Sequence, residues 1–363
     1  MRKRKICFIA QFPPPIHGLS KAVDTLYNSK IKEEFDLEKV DITNNKEFVK
    51  NLRIISKSKA DLFYFTISQS QIGNLRDLII LKLLWRQQKK CLLHLHGGYY
   101  RQLVDHDLCI LQRKANYEAI KRSSGVIVLS NSLKKNFYGM IPKEKIFIVQ
   151  NCVDDEYLMS DNEFEEKLSR VKNYSFRHVL YLSNFISSKG YLEVLELAKI
   201  EKTRIETGGK KKFHFEFAGE FYDEAEKKQF DSFIKNNDLE DYITYHGVVT
   251  GKKKQELLML CDIFALFTRY PKEGQPISIL EAMGNGMMVT TTNHAGIPDV
   301  IEDGVNGIVM DKDLLDMRQC YQRILSKSSE EIQIIMKQNR KKIKDFYNQN
   351  TFVENMSKVF AQI

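Results

Sequence analysis

The stretch Arg269-Tyr270-Pro271-Lys272-Glu273-Gly274-Gln275-Pro276-Ile277-Ser278-Ile279-Leu280-Glu281-Ala282-Met283 holds residue types whose spacing could do chemistry. Pro276 suits the first position of a helix, where a missing N–H costs nothing. The backbone from Gly274 through Gln275 and Pro276 to Ile277 then forms a helix N-terminus, whose free amides can meet an anion. Glu273 precedes that terminus. Glu281 lies about one and a half turns inside it, at ~3.6 residues per turn. Two carboxylates flanking an anion site suit a ligand with hydroxyls at both ends and phosphates between. A nucleotide-diphosphate sugar has that shape. Dipole compensation by Glu273 and a solvated Glu281 explain each residue alone, but not the combination.

Three other places follow strand-like runs. The run 180–182 leads through Ser183, Asn184 and Lys189 to Gly190 and a helix start. There Lys189 and free amides can jointly hold phosphate, although a plain surface lysine fits the same spacing. The run before Gly97-Gly98 ends in His94-Leu95-His96. At period two the histidines share one face. A buried, hydrogen-bonded role is the usual one for such a residue. His96 differs because it ends the strand just before two glycines, where a functional role is open to it. The first run enters Pro13-Pro14-Pro15-Ile16-His17-Gly18, where Gly18 permits close backbone approach. A plain turn reads the same, and His17 alone says little. No G-x-G-x-x-G fingerprint for a nicotinamide cofactor occurs. Asp105-His106-Asp107 and Asp311-Lys312-Asp313 have a D-x-D pattern, but neither follows a strand in a nucleotide-binding half. Helix termini and Lys189 can neutralise phosphate, so no metal and no other cofactor is expected.

These residues need a scaffold, and the periodicity supplies one. Short apolar runs at 6–12, 37–42, 61–66, 91–96, 125–129 and 146–150 alternate with amphipathic stretches at 19–28, 46–57, 75–87, 108–122 and 132–138. Such alternation predicts a parallel sheet covered by helices on both faces. The charged stretch 154–172 lacks a strand pattern and is expected to connect two domains. The alternation then restarts, with runs at 178–182, 213–218, 242–246, 262–267, 288–291 and 307–309. Helices are expected at 191–203, 223–236, 253–261 and 277–284, and from 329 onward. The chain is therefore read as two successive α/β parallel-sheet domains with a crevice between them. Ligands of such sheets sit beyond the carboxyl ends of the strands.

Composition narrows the partners. The chain of 363 residues is 43% hydrophobic and 28% charged, ordinary for a folded protein. No apolar run approaches the ~20 residues of a membrane-spanning helix. The basic residues 2–5 precede only a short apolar run ended by three prolines, which predicts a first strand behind a basic leader rather than a signal. Six well-separated cysteines form no C-x-x-C, so reduced thiols of a cytosolic protein are expected. Residues 1–150 carry 27 Lys and Arg against 13 Asp and Glu, while the whole chain is only +9. A solvated basic face is one reading. An anionic membrane surface is the other, favoured over nucleic acid because no nucleic-acid-binding motif is found.

With these residues in view, the E-x7-E of Glu273 and Glu281 before Ala282-Met283 resembles the retaining GT-B glycosyltransferases of family 4, the group 1 glycosyl transferases. Gly18, His96, 130–133, Asn151 and Lys189-Gly190 extend the resemblance. So do Gly286, Thr290, Gly296-Ile297-Pro298, Asp303-Gly304 and Asn306-Gly307. The resemblance implies two Rossmann-like domains facing each other across a cleft. An acceptor-binding domain would occupy 1–168 and a nucleotide-sugar domain 169–347, with a helix at about 348–363 packing back on the first. It implies that Glu281 binds the ribose and Glu273 the donor sugar. Lys189, Gly18 and the 274–277 amides would hold the diphosphate, with His96 beside the sugar. Two departures stand out. Ser183-Asn184 replaces the usual Gly-Arg, removing a cation from the phosphate site. Gly274-Gln275-Pro276 replaces Gly-Phe-Gly, a variant within the family, removing one backbone donor and adding a polar side chain.

The resulting expectation is a retaining transferase. It would move a hexose-type sugar from a nucleotide-diphosphate donor to a glycan acceptor, lipid-linked, in cell-surface polysaccharide or glycolipid synthesis. It would work as a cytoplasmic protein peripheral to the membrane's cytoplasmic face. The rival readings keep the fold: a nucleotide-sugar epimerase or phosphorylase, or a non-catalytic partner subunit of a transferase.

Overall fold

Runs rich in Val, Ile, Phe and Leu pair side by side because buried parallel strands need apolar residues on both faces. The computed structural model describes residues 2–15 and 18–363, and among these twelve strands form two sheets. The first sheet holds β1 (Arg4–Ala10), β2 (Phe35–Asp41), β3 (Leu62–Thr66), β4 (Cys91–Leu95), β5 (Gly125–Val128) and β6 (Ile146–Ile148). The second holds β7 (Arg177–Leu182), β8 (Phe213–Ala218), β9 (Ile243–Tyr245), β10 (Ile263–Leu266), β11 (Met288–Thr292) and β12 (Gly307–Met310). Every expected run became a strand, and all pairings between neighbouring strands are parallel.

The orders are β2-β1-β3-β4-β5-β6 and β12-β11-β10-β7-β8-β9. Both are doubly wound. The first places its switch point between β1 and β3, the second between β7 and β10. At a switch point neighbouring crossovers diverge to opposite faces and leave a crevice at the carboxyl ends.

The chain divides into two compact units, each with its own core. The first runs through Cys152 and takes in Pro271–Gln275 and Gln349–Ile363. On one face of its sheet, Phe8, Tyr64, Leu92 and Ile127 pack with Phe352, Val353, Met356 and Phe360 of the helix Gln349–Gln362. The Phe360 ring stands edge-on to Phe8 and Tyr64 with centroids 6.0 and 5.6 Å away. Each such fully buried side chain contributes about 1.5–3 kcal/mol.

The second unit begins at Val153, not after residue 168. The stretch expected to be a connection contains the helix Asp161–Asn173, opened by a reciprocal capping box between Ser160 and Glu163. Phe164, Leu168 and Val171 fall at helical spacing on its buried side and join the second core. Charge on the opposite side masked that stripe in the sequence. The helix Met317–Leu325, capped by Asp316, also had no counterpart in the sequence reading.

Lys167 lies on the buried side of Asp161–Asn173 and donates to the carbonyls of Leu258 (3.0 Å) and Asn285 (2.9 Å). Burial pushes its pKa down from 10.5 to about 8. Between those values the unfolded chain binds the proton more readily than the folded one, so stability rises with pH across the window. Urea denaturation at both ends of the window should show this rise in the wild type. It should be missing from Lys167→Met, which stays less stable throughout because two carbonyls lose their donor.

Candidate active site

The residues with chemical promise fall into two sets, one within each unit. In the second unit β7 leaves the sheet through Ser183 and Asn184 into a 3₁₀ turn, Ser187–Lys189, and then the helix Tyr191–Glu206. Gly190 links turn and helix at φ +84°, and a Cβ there would lie 2.5 Å from the Phe267 carbonyl oxygen. Glycine alone lets this loop press against the end of neighbouring β10. The contact continues in a 2.6 Å hydrogen bond from Arg269 N–H to the Ser188 carbonyl. Lys189 consequently sits with its Nζ 4.8 Å from the centre of the Tyr270 ring. The Arg269 guanidinium pairs with Glu193, near the start of the same helix. Two cations thus leave adjacent strands at the sheet's switch point. Asn184 is exposed, its carbonyl accepting from Tyr181 Oη at 2.9 Å.

After residue 275 the chain forms the helix Ile277–Gly284, with Pro276 as its N-cap. Glu281 is only 5% exposed. The solvated carboxylate considered from sequence is therefore excluded. Its Oε1 accepts from Lys254 Nζ at 2.6 Å, and the same amine lies 4.0 Å from the centre of the Tyr157 ring. A buried carboxylate needs such a cation, because desolvation otherwise favours its neutral form.

The first unit holds His96, Glu273, Gly274 and Gln275. A Cβ at Gly274 would stand 2.4 Å from the His96 carbonyl oxygen, so glycine is demanded by the approach of two backbones. Glu273 is 7% exposed beside it in sequence. Gln275 does not present its whole side chain to a ligand. Its Oε1 accepts from Asn151 N–H at 2.8 Å, and its carbonyl accepts from Asn151 Nδ2 at 2.9 Å. Its buried Nε2 has no hydrogen-bond partner among the described residues. His94 is the structural histidine of the pair. It is fully buried and shares a 2.7 Å hydrogen bond with Tyr64 Oη, and its ring lies 3.9 Å from that of His96. Burial, helped by the neighbouring His96, keeps its pKa well below the ordinary histidine value. Gly18 opens the helix Gly18–Tyr27 beyond β1, while Ile16 and His17 lie outside the described residues.

The two D-x-D pairs are engaged locally. Asp105 accepts from Tyr117 Oη at 2.9 Å and Asp107 from Tyr99 Oη at 2.8 Å. Asp311 accepts from Asp313 N–H at 2.9 Å, and Asp313 pairs with Lys312 at 2.8 Å. Lys254 and Arg269 are the residues that sequence reasoning missed. Lys254 sits in a run of three lysines with no pattern to single it out. Arg269 was visible as the first cation after the β10 run.

Residues 162–343 match the family model for glycosyl transferases group 1. The amylovoran biosynthesis glycosyltransferase AmsK of Erwinia amylovora is 24% identical over 226 residues, 61% of this chain and 52% of that protein. Spore coat protein SA of Bacillus subtilis (strain 168) is 28% identical over 126 residues, 34% of this chain and 32% of that one. The chain therefore spans about half of the first relative's length and a third of the second's. Among solved structures, Anabaena Alr3699/HepE in complex with UDP and glucose matches with TM-score 0.74 and 14% identity, covering 99% of this chain and 100% of that one. Sucrose-phosphate synthase (tll1590) from Thermosynechococcus elongatus matches with TM-score 0.73 and 13% identity, covering 99% of both. At such identities the likeness establishes the fold, which is GT-B.

The Lys254–Glu281 pair has a direct test. Lys254→Met leaves a buried carboxylate without its cation and should cost about 3 kcal/mol of unfolding free energy. Adding Glu281→Gln removes the orphaned charge and should restore part of that loss. Denaturant titration of the two single variants and the double variant measures the coupling.

Proposed function

The chain belongs to the glycosyl transferases group 1 family, and from that premise we propose that it is a retaining GT-B glycosyltransferase of family 4. It transfers a hexose-type sugar from a nucleotide-diphosphate sugar to a lipid-linked glycan acceptor at the cytoplasmic face of a membrane. The product belongs to cell-surface polysaccharide or glycolipid synthesis. One observation supports this reading above the others. Lys189 and Arg269 leave the adjacent strands of a switch point, and the region matched to the family also holds Glu281 buried in the next helix. Two cations with a buried carboxylate nearby along the chain suit an anion that carries hydroxyls. The UDP and glucose in the HepE structure favour a nucleotide-diphosphate sugar as donor. The amylovoran role of AmsK favours a polysaccharide product.

In this reading Glu281 accepts hydrogen bonds from the ribose, and Lys254 holds its carboxylate in place. Lys189 and the amides at Ile277 and Gly274 hold the diphosphate. Arg269 supplies the cation that Asn184 lacks. Glu273 and the free Nε2 of Gln275 bind sugar hydroxyls, and the His96 main chain and ring bound the same place. The protein's contribution is positioning and stabilisation of the charge that develops on the leaving phosphate. The bond from the anomeric carbon to phosphate oxygen breaks while the acceptor oxygen bonds to that carbon on the same face. The acceptor proton passes to the departing phosphate, so retention needs no protein nucleophile.

Glu281→Ala should weaken donor and free UDP alike by about 1.5–3 kcal/mol, the value of a hydrogen bond to a charged group. Glu273→Ala should lower turnover and leave UDP affinity nearly intact. Calorimetric titration with UDP, beside turnover of a nucleotide sugar, separates the two, and equal loss of UDP affinity would refute the assignment. The charges named above suffice for the diphosphate, so turnover is expected to persist in excess EDTA. Loss in EDTA with recovery on magnesium or manganese would contradict the metal-free site.

A further inference from the structure

The helix Gln71–Arg86 in the first unit buries Ile80, Leu81 and Leu84 but carries further large apolar residues on its outer side. Its polar residues Asn74 and Asp77 are buried, while Ile72, Leu75, Ile79 and Trp85 are exposed. The buried polar groups are satisfied from within. Asn74 and Asn116 exchange amide hydrogen bonds of 2.8 and 2.9 Å, and Asp77 accepts from Ser68 N–H at 2.6 Å. On the outward side Ile72, Leu75 and Ile79 are left to solvent. Ile72, Leu75, Ile79, Lys82 and Arg86 recur at i, i+3, i+7, i+10 and i+14, a single stripe along the helix.

The neighbouring helix Ile110–Arg122 widens that stripe. Gln112 Nε2 bonds Asn74 Oδ1 at 2.9 Å near one end, and Arg122 lies 3.6 Å from the centre of the Trp85 ring near the other. The helices therefore run side by side, and Ile110 and Leu111 are exposed at the start of the second one. Exposure is 81% for Ile72, 55% for Leu75, 80% for Leu111 and 44% for Trp85. Between them Trp85, Leu78 and Ala115 line a groove of about 600 Å³, rimmed by Lys82, Lys89, Lys90 and Arg122 with Glu118 as its one acid. A second groove on the other flank shares Ile79 and Lys82, adds Arg53, Lys57 and Arg86, and contains no acid.

We propose that this face docks on an anionic phospholipid bilayer, the stripe and Trp85 entering the interfacial region while the rim meets lipid headgroups. Exposed apolar side chains ringed by cations complement a surface with anionic headgroups above hydrocarbon. Tryptophan prefers that boundary, because its ring is apolar and its N–H needs a polar neighbour. A soluble protein partner would be met by an apolar centre with mixed charges around it; this rim is almost wholly cationic. The choice of a bilayer also rests on the lipid-linked acceptor proposed above. Two cations of the basic leader have partners within the chain, as do Lys89, Lys90 and Arg122 of the rim. Arg4 donates to the Phe360 carbonyl, and Lys5 pairs with Glu38 at 3.0 Å. This leaves Arg53, Lys57, Lys82 and Arg86 as the cations nearest the stripe.

The chain has one tryptophan, so its emission reports on this face alone. Vesicles of phosphatidylglycerol and phosphatidylcholine should sediment the protein and shift Trp85 emission to the blue. Pure phosphatidylcholine should do neither. Binding should fall steeply with salt, as the Debye length shortens from ~10 Å at 0.1 M to ~3 Å at 1 M. The variant Ile72→Ser/Leu75→Ser/Leu111→Ser keeps every charge and should lose about tenfold or more in vesicle affinity, since binding scales with inserted apolar area. Equal recovery with neutral lipid, sedimentation without a Trp85 shift, or an unaffected triple variant would each overturn the proposal. So would a dimer in solution that the triple variant dissolves, which would give the face to a second copy. Protection of wild type and triple variant by UDP against thermal unfolding serves as the independent reading. If UDP protects neither, the transferase assignment fails while the vesicle result stands; if UDP protects both and vesicles do not bind, only the docking face fails.

Discussion

Parallel strand pairing is the constraint on which everything else in this protein depends. Two parallel strands cannot be joined by a tight turn, so each needs a crossover that passes over a sheet face. Both faces are then covered, the inner strands are largely apolar, and in each sheet the loops after strands leave from one edge. The chemistry has nowhere else to collect. Lys189, Arg269, His96 and Gly18 are far apart in sequence, yet each follows the carboxyl end of a strand. In the second sheet the order β12-β11-β10-β7-β8-β9 sets two of those exits side by side. The close approach of Gly190 to the Phe267 carbonyl then turns sheet topology into a specific juxtaposition of two cations.

Buried polar groups set the second level of order. Glu281 with Lys254, Lys167 with two carbonyls, and Gln275 with Asn151 are each largely removed from water. Such groups lose solvation on folding and recover it only through well-placed partners, so they add little net stability while fixing geometry. The first and last of these pairs involve candidate site residues, where fixed geometry matters. A carboxylate within a short helix, held by a lysine from another helix, has its direction imposed before any ligand arrives. The single amide donor left over on Gln275 is likewise held in place by the hydrogen bonds that its neighbouring atoms make.

The outer helices of the first unit follow a different rule. In the helix Gln71–Arg86 the polar Asn74 and Asp77 are buried beside Ile80, Leu81 and Leu84, while four large apolar residues stay outside. Hydrophobic burial within the chain cannot account for the outward stripe. The inward polar groups are paid for by their mutual hydrogen bonds, which leaves the exposed face to be explained by something beyond this chain. Charge excess in the first half, visible in composition, becomes a directed feature only where cations border that stripe.

The sequence by itself determined the class of fold and the linear order of its parts. Strand and helix periods are local, glycine and proline mark turns locally, and E-x7-E is a spacing within one loop and helix. All twelve strand positions were legible for that reason. The helix Asp161–Asn173 was not, although its capping pair Ser160 and Glu163 was present, because its apolar stripe holds only Phe164, Leu168 and Val171 among many charges. Only the tertiary structure decided which lysine meets Glu281, that Asn151 holds Gln275, and that Ile72 and Leu75 face outward while Asn74 and Asp77 face in. Each of these depends on residues that are distant along the chain and brought together by packing. A one-dimensional pattern records the period of a helix but not which of its sides another element will cover.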